Sequence, residues 1–361
     1  MVPGFPVIGV SAMRPSLTEA LRCPECESGW TGITLPDRRD FLRVAGTGAA
    51  AMSLAGLTPL EQARAARLAK QAEAEALVFE LYRSLDGEQK KYLVQPWDLK
   101  RPNQPLPARL MTANAAVGKS VIGLEYKPAQ VDLLRRIFRA ISNGEEGYRQ
   151  LSRNGKFDNS GDFENIGAVL YGEAEPGKKF SLVFSGHHLT VRCDGNSEEQ
   201  TAFGGPLYYG HSPSGYSRTN VFYNQTQAVT AIFEALSPQQ RHKAVYPGKW
   251  RDGVETVRLP AKGAKLPGIA YADMTAEQQA LVQKAMQELV SPYRKEDGEE
   301  VMEIIKANGG LDKIHLAFYQ EGQTHPKEPW TYWRLEGPGF VWSFRALPHI
   351  HCFVNISARI G

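Results

Sequence analysis

Val78-Phe79-Glu80-Leu81-Tyr82-Arg83-Ser84-Leu85-Asp86-Gly87-Glu88-Gln89 sets Val78, Leu81, Tyr82 and Leu85 at i, i+3, i+4 and i+7, one face of an α-helix. The same stripe recurs 151 positions later as Val229, Ile232, Phe233 and Leu236. Both stretches stop alike, Ser84 to Gln89 matching Ala235-Leu236-Ser237-Pro238-Gln239-Gln240, with Asp86 or Ser237 placed to cap a following helix. Further on, Leu133, Leu134, Ile137, Phe138 and Ile141 are matched 148 positions later by Leu281, Val282, Ala285, Met286 and Leu289. Lys127-Pro128 and Thr275-Ala276-Glu277 give the two copies their helix starts. Each half then turns to strand, Phe180 to Gly186 paralleling Thr331 to Gly337, again at 151.

Three elements in one order at nearly one offset predict an internal duplication. The expected fold is α+β: each half two helices, a Pro/Gly-rich connection (Pro96 to Pro107; Pro247 to Pro267) and a β-hairpin. A lone hairpin is only marginally stable, so the two hairpins are expected to share one sheet around a pseudo-twofold axis.

Outside this pattern, Arg38-Arg39-Asp40-Phe41-Leu42-Arg43 leads into an uncharged Ala/Gly-rich run, Val44 to Leu57, which reads as a twin-arginine export signal. Residues 1–57 are accordingly taken as that signal with an N-terminal extension, and 58–361 as one mature domain of two repeats, about 60–196 and 220–361. Cys23 and Cys26 fall in the extension, and no second Cys-x-x-Cys completes a zinc site. The expected location is periplasmic or secreted, with the twin-arginine machinery as a partner. Across 361 residues, 42 basic against 39 acidic side chains leave +3, without the concentrated positive charge that nucleic acid requires. No apolar run reaches the eighteen or so residues of a membrane helix, so the chain is not expected to be integral to a membrane.

Chemistry concentrates in the histidines. Of eight, four form two clusters, His187-His188 and His349-Ile350-His351. Ile350, Cys352, Val354 and Ile356 set the apolar parity of the last strand, so His349 and His351 share the other face and can converge on one ion. Around the first cluster the apolar parity slips, from even (Phe180, Leu182, Phe184) to odd (Leu189, Val191), which demands a bulge or tight turn at Gly186-His187. That parity selects His188 as third ligand, with His187 as a fourth ligand or a supporting group. In the other half Gly337-Pro338-Gly339-Phe340 occupies the place of Gly186-His187-His188-Leu189, so the two halves differ at the histidines.

His211 is a candidate extra ligand or substrate contact, and Glu336 a candidate general base or ligand. Cys193 and Cys352 could be a disulfide, soft ligands or two buried apolar side chains. His242, His315 and His325 have no partner spacing. No nucleophile elbow, P-loop or dinucleotide fingerprint is present.

With Ser185-Gly186-His187-His188-Leu189, Arg334-Leu335-Glu336-Gly337-Pro338 and the terminal His349-Ile350-His351 in hand, the chain from about Leu77 to Asn355 resembles a bacterial exported family, the domain of unknown function numbered 3500. Ser185 stands where that family often has an acidic residue, and Cys352-Phe353 replaces a polar-aromatic continuation. The resemblance implies export and supports the histidine positions, but carries no activity. The functional expectation is therefore an exported metalloprotein with one copper or zinc ion on His188, His349, His351 and His187, and with Glu336 and His187 as acid/base candidates. An all-imidazole shell leans toward a copper oxidoreductase acting on a small molecule or saccharide. A zinc hydrolase and a non-catalytic binding or scaffold module are the alternatives.

Overall fold

A computed structural model describes residues 73–358 apart from 103, 105, 248–251, 254–255, 262 and 321–326. The export segment, the Cys23 and Cys26 pair and His325 lie outside the described residues.

Helix α1 (73–84) carries the opening stripe inward, with Val78 and Leu81 in the core. Asp86 then caps α2 (Gly87–Leu93), its carboxylate accepting from the Gln89 amide at 2.9 Å. Ser237 does the same between α6 (Tyr223–Ala235) and α7 (Pro238–Ala244), accepting from the Gln240 amide at 3.2 Å. Such caps contribute about 1 kcal/mol each. The short α3 (Ile122–Glu125) precedes α4 (Pro128–Ala140), which starts on Pro128 as expected, and α8 (Ala276–Val290) starts on its Thr275 cap. Two further helices, α5 (Gly144–Leu151) and α9 (Lys295–Ala307), follow them. Gln89 and Gln130 bond side chain to side chain at 2.8 Å, and Gln240 and Gln278 do so at 2.9 Å. Gln130 also donates to Ser84 O, and Gln278 to Ala235 O.

The strands are β1 (Val94–Gln95), β2 (Gly167–Gly172), β3 (Phe180–Gly186), β4 (Leu189–Cys193), β5 (Leu207–His211), β6 (Val245–Pro247), β7 (Ile269–Ala270), β8 (His315–Gln320), β9 (Tyr332–Gly337), β10 (Phe340–Arg345) and β11 (Ile350–Ile356). They form one mixed open sheet in the order β1-β2-β3-β4-β5-β11-β10-β9-β8-β6, with β7 beside β8. Read from its two edges inward, the sheet meets β1 to β5 on one side and β6, β8, β9, β10 and β11 on the other. Each outermost pair is parallel.

The expected hairpins, β3–β4 and β9–β10, do share this sheet, but each half contributes a longer antiparallel run than a hairpin. The extra strands escape a reading of alternation because they are covered on both faces: five of the six residues of β2 and four of the five of β5 are buried. On one face Leu182, Phe184, Cys352 and Val354 pack with α1, α4, α6 and α8 in the main core. The opposite face is covered by loops, Val183 and Tyr171 packing with Ala108, and Tyr208 and Phe353 with Val257. Among the described residues no helix is long and apolar enough to cross a membrane.

Candidate metal centre

The two runs meet at the antiparallel pairing of β5 with β11, where His351 lies opposite Gly210 and Phe353 opposite Tyr208. Gly210 is required here: a Cβ on it would stand 2.3 Å from Ile350 O and 3.3 Å from the His188 ring. That missing side chain lets the β3–β4 turn lean over the central seam.

The turn itself is His187-His188, a two-residue connection between Gly186 and its partner Leu189. It supplies the tight turn demanded by the parity slip, and it also keeps both rings together, their centroids 3.8 Å apart. His188 has φ +56°, the left-handed region, and the β9–β10 turn puts Gly339 there with φ +72°. Left-handed backbone costs a residue with a Cβ roughly 1–2 kcal/mol, so a histidine is held where glycine would be easier. Its amide donates to Asn114 Oδ1 at 2.7 Å, and the His187 amide to Ser160 Oγ at 2.8 Å.

His188, His349 and His351 form a near-regular triangle of imidazoles, each pair of centroids 4.8 Å apart. One ligand nitrogen from each lies within 4.8 Å of the other two. Two of the rings are held from behind by carboxylates: His188 Nδ1 by Asp158 at 2.6 Å, His351 Nδ1 by Asp252 at 2.7 Å. Backing of this kind fixes the tautomer and turns Nε2 inward as a lone-pair donor, the usual arrangement behind a metal-binding histidine. Arg345, opposite His351 in the β10–β11 ladder, pairs with Asp252 at 2.6 Å and reaches His349 Nε2 at 3.2 Å.

A guanidinium is a donor only, so the nitrogen it reaches on His349 carries no proton. His351 Nε2, with its proton on the Asp252 side, carries none either. These two nitrogens stand 3.0 Å apart. Two lone pairs facing each other at that distance repel; Arg345 and the Tyr208 hydroxyl, 3.3 Å from His351 Nε2, offset this in part, and a shared cation would satisfy both nitrogens at once.

The electrostatics agree. Burial, reinforced by His351 and Arg345, pushes His349 down to about 4; burial also takes His351 down to about 4, against the upward pull of Asp252. Both rings are therefore neutral and ready to ligate at ordinary pH. His187 is lowered as well, by burial and then by His188. Burial opposes the charge on Asp158, yet hydrogen bonds with His188 and His211 and the nearby Arg153 hold its carboxyl well below the usual carboxylate range.

Of the residues singled out from sequence, His188, His349 and His351 come together as one group, and His187 joins His188 and Asp158 in a second, overlapping one. His211 ends β5 and binds the other oxygen of Asp158 at 2.5 Å. Glu336 lies on β9, two strands from β11, paired with Arg334 at 2.6 Å. Cys193 and Cys352 are buried thiols not joined in a disulfide. His315 is on β8, and His242 on α7. Asp158, Asp252, Arg345 and Asn114 were not found from sequence. They lie in loops, in a 3-10 turn or at a strand end, 30, 99, 4 and 74 positions from the histidines they hold, and tertiary structure is what brings them there.

A family model described as a protein of unknown function, DUF3500, matches residues 121–356. Neither a curated protein nor a solved structure matches the chain.

Proposed function

The chain belongs to the DUF3500 family, whose description assigns no activity, and from the site itself we propose that it is an exported metal-dependent enzyme holding one transition-metal ion on His188, His349 and His351. The observation that carries this reading is the convergence of three imidazoles, the Nε2 atoms of His349 and His351 standing 3.0 Å apart with His188 completing the triangle. Three imidazoles on one side of an ion leave further positions open, as catalytic rather than structural sites do. An ion in such a setting supplies a Lewis acid and an activated water.

Three imidazoles with an open position are a ligand set that catalytic zinc uses, whereas the residue types in an oxidising compartment lean toward Cu(II). A zinc hydrolase is thus the leading reading. A copper oxidoreductase is the second, favoured by a ligand set made only of imidazoles. Asp158 and Asp252 orient the ligand rings, and Arg345 fixes Asp252. His187, half-buried with its ring tilted 36° against that of His188 and its basicity lowered, is the acid/base group nearest the three ligands; Glu336 is already engaged by Arg334.

Export rests on the twin-arginine segment, which reads as a periplasmic or secreted address. Duplication of the two halves is part of the same proposal. It is supported by the capped helix pairs, the equivalent glutamine pairs Gln89–Gln130 and Gln240–Gln278, and the mirrored strand order. On this reading one copy became the metal-binding turn and the other kept Pro338-Gly339.

Elemental analysis of untagged protein tests the metal. About one equivalent of zinc or copper is expected in the parent and none in a folded His349→Ala/His351→Ala double variant. Asp252→Asn should weaken binding about 10- to 100-fold, as loss of a group behind a ligand does. Parent protein that holds no metal after reconstitution with either ion would overturn the reading.

A further inference from the structure

Beside His351 a cavity of about 310 Å³ opens on the loop-covered face of the sheet. Its base is the pair Tyr208 and Phe353, one from each central strand, stacked at 4.4 Å with their planes 10° apart. Its walls come from both halves: Leu106 with Met111, Thr112, Ala113 and Asn114 on one side, and Asp252, Gly253 and Val257 on the other. Most of the lining is apolar, with Leu106, Met111, Ala113 and Val257 around the two rings. The polar groups gather at one end, where His351 and Asp252 belong to the histidine site and Asn114 holds the His188 amide.

Asp252 makes this end specific. Its Oδ2 serves both His351 and Arg345, while its Oδ1 is buried and has no hydrogen-bond partner among the described residues. A buried carboxylate oxygen left without a donor is unfavourable, so a group that brings a proton to it is preferred there. The cavity therefore offers an aromatic floor, an apolar wall and one unsatisfied acceptor next to the ligand histidines.

We propose that this cavity binds an uncharged aromatic ring bearing a hydroxyl group, the ring lying against Tyr208, Phe353 and Met111 and the hydroxyl at the polar end, where a small rotation of the Asp252 carboxylate brings its unpartnered Oδ1 to accept from it. The inference rests on the reading of the histidines as a metal centre only in making this ligand the substrate; the cavity itself does not depend on the ion. A volume near 310 Å³ suits one or two fused rings. A saccharide fits poorly, because it would bury many hydroxyls against apolar walls with few partners. In the metal-free protein an anion at the polar end faces the Asp252 carboxylate, whose partner Arg345 is already engaged.

The test is equilibrium binding to the full-length protein, both metal-free and zinc-loaded, of four probes: 2-naphthol, 2-methoxynaphthalene, 2-naphthyl phosphate and glucose. In the metal-free protein 2-naphthol is expected to bind about tenfold or more tighter than each of the other three, since the methyl ether lacks the donor, the phosphate meets the Asp252 carboxylate and glucose lacks the ring; in the zinc-loaded protein the comparison is with the methyl ether and glucose alone. Ala113→Trp, which fills the cavity, should weaken 2-naphthol about tenfold, and Phe353→Leu, which removes the aromatic floor with little loss of volume, about threefold. Circular dichroism checks that both variants fold. Equal binding of 2-naphthol and its methyl ether, tighter binding of glucose, tighter binding of the phosphate by the metal-free protein, or 2-naphthol binding untouched by both substitutions would overturn the proposal. Metal content measured on the same samples separates the two readings: naphthol binding without metal leaves the cavity and removes the enzyme, and metal without naphthol binding does the reverse.

Discussion

His188 combines three demands that rarely coincide. It is buried, it adopts a left-handed backbone, and it presents a nitrogen to two other histidines. Glycine would meet the second demand at no cost, and Gly339 does so in the other hairpin. Replacing His188 by Ala and by Gly separates the demands. Both variants should lose the metal, but the Gly variant should be more stable to urea than the Ala variant by about 1 kcal/mol, because only the latter keeps a Cβ at positive φ. Equal stabilities would mean that the turn relaxes in the variants. The histidines were legible in the sequence because closely spaced imidazoles on a strand are conspicuous. Asp158 and Asp252 were not, since a single aspartate in a loop looks like any solvated turn residue until the chain has folded around it.

The seam between β5 and β11 joins the two runs of the sheet, and its tightest point is Gly210 against Ile350. Gly210→Ala would set a methyl group 2.3 Å from a backbone oxygen and crowd the His188 ring, which can yield only by moving the turn. The expected result is a drop in thermal midpoint together with loss of metal, whereas the same substitution at Gly253, which has open space around its Cα, should change neither. A Gly210→Ala protein that still binds one equivalent would show that the approach is looser than it looks. Helix starts were read correctly because caps are local: Asp86, Ser237, Thr275 and Pro128 each act on the next turn of their own chain segment. Strands such as β2 and β5 were missed because burial on both faces erases the alternation by which strands are recognised.

Folding as a whole is coupled to protons through the same histidines. His349 and His351 titrate near 6.5 when exposed and are pushed down to about 4 in the folded protein. The native state thus prefers them neutral, and the unfolded chain takes up protons first as pH falls. Stability of the metal-free protein should be full above about 6.5, decline as pH drops toward about 4, and cease to change on their account below that. Thermal midpoints across this range should fall more steeply for the parent than for a His349→Asn/His351→Asn variant, and parallel curves would refute the assignment.

Eleven strands in one open sheet would ordinarily expose two long rows of unpaired amides and carbonyls, each a template on which a second chain could add. Here the outermost strands are β1, two residues long, and β6, three residues long and ending in Pro247, which has no amide proton to offer. The sheet is therefore wide in its interior yet nearly closed to growth at its rims. A molecule with this much β structure is by that means kept from stacking edge to edge into fibres while its central seam stays free to hold the site.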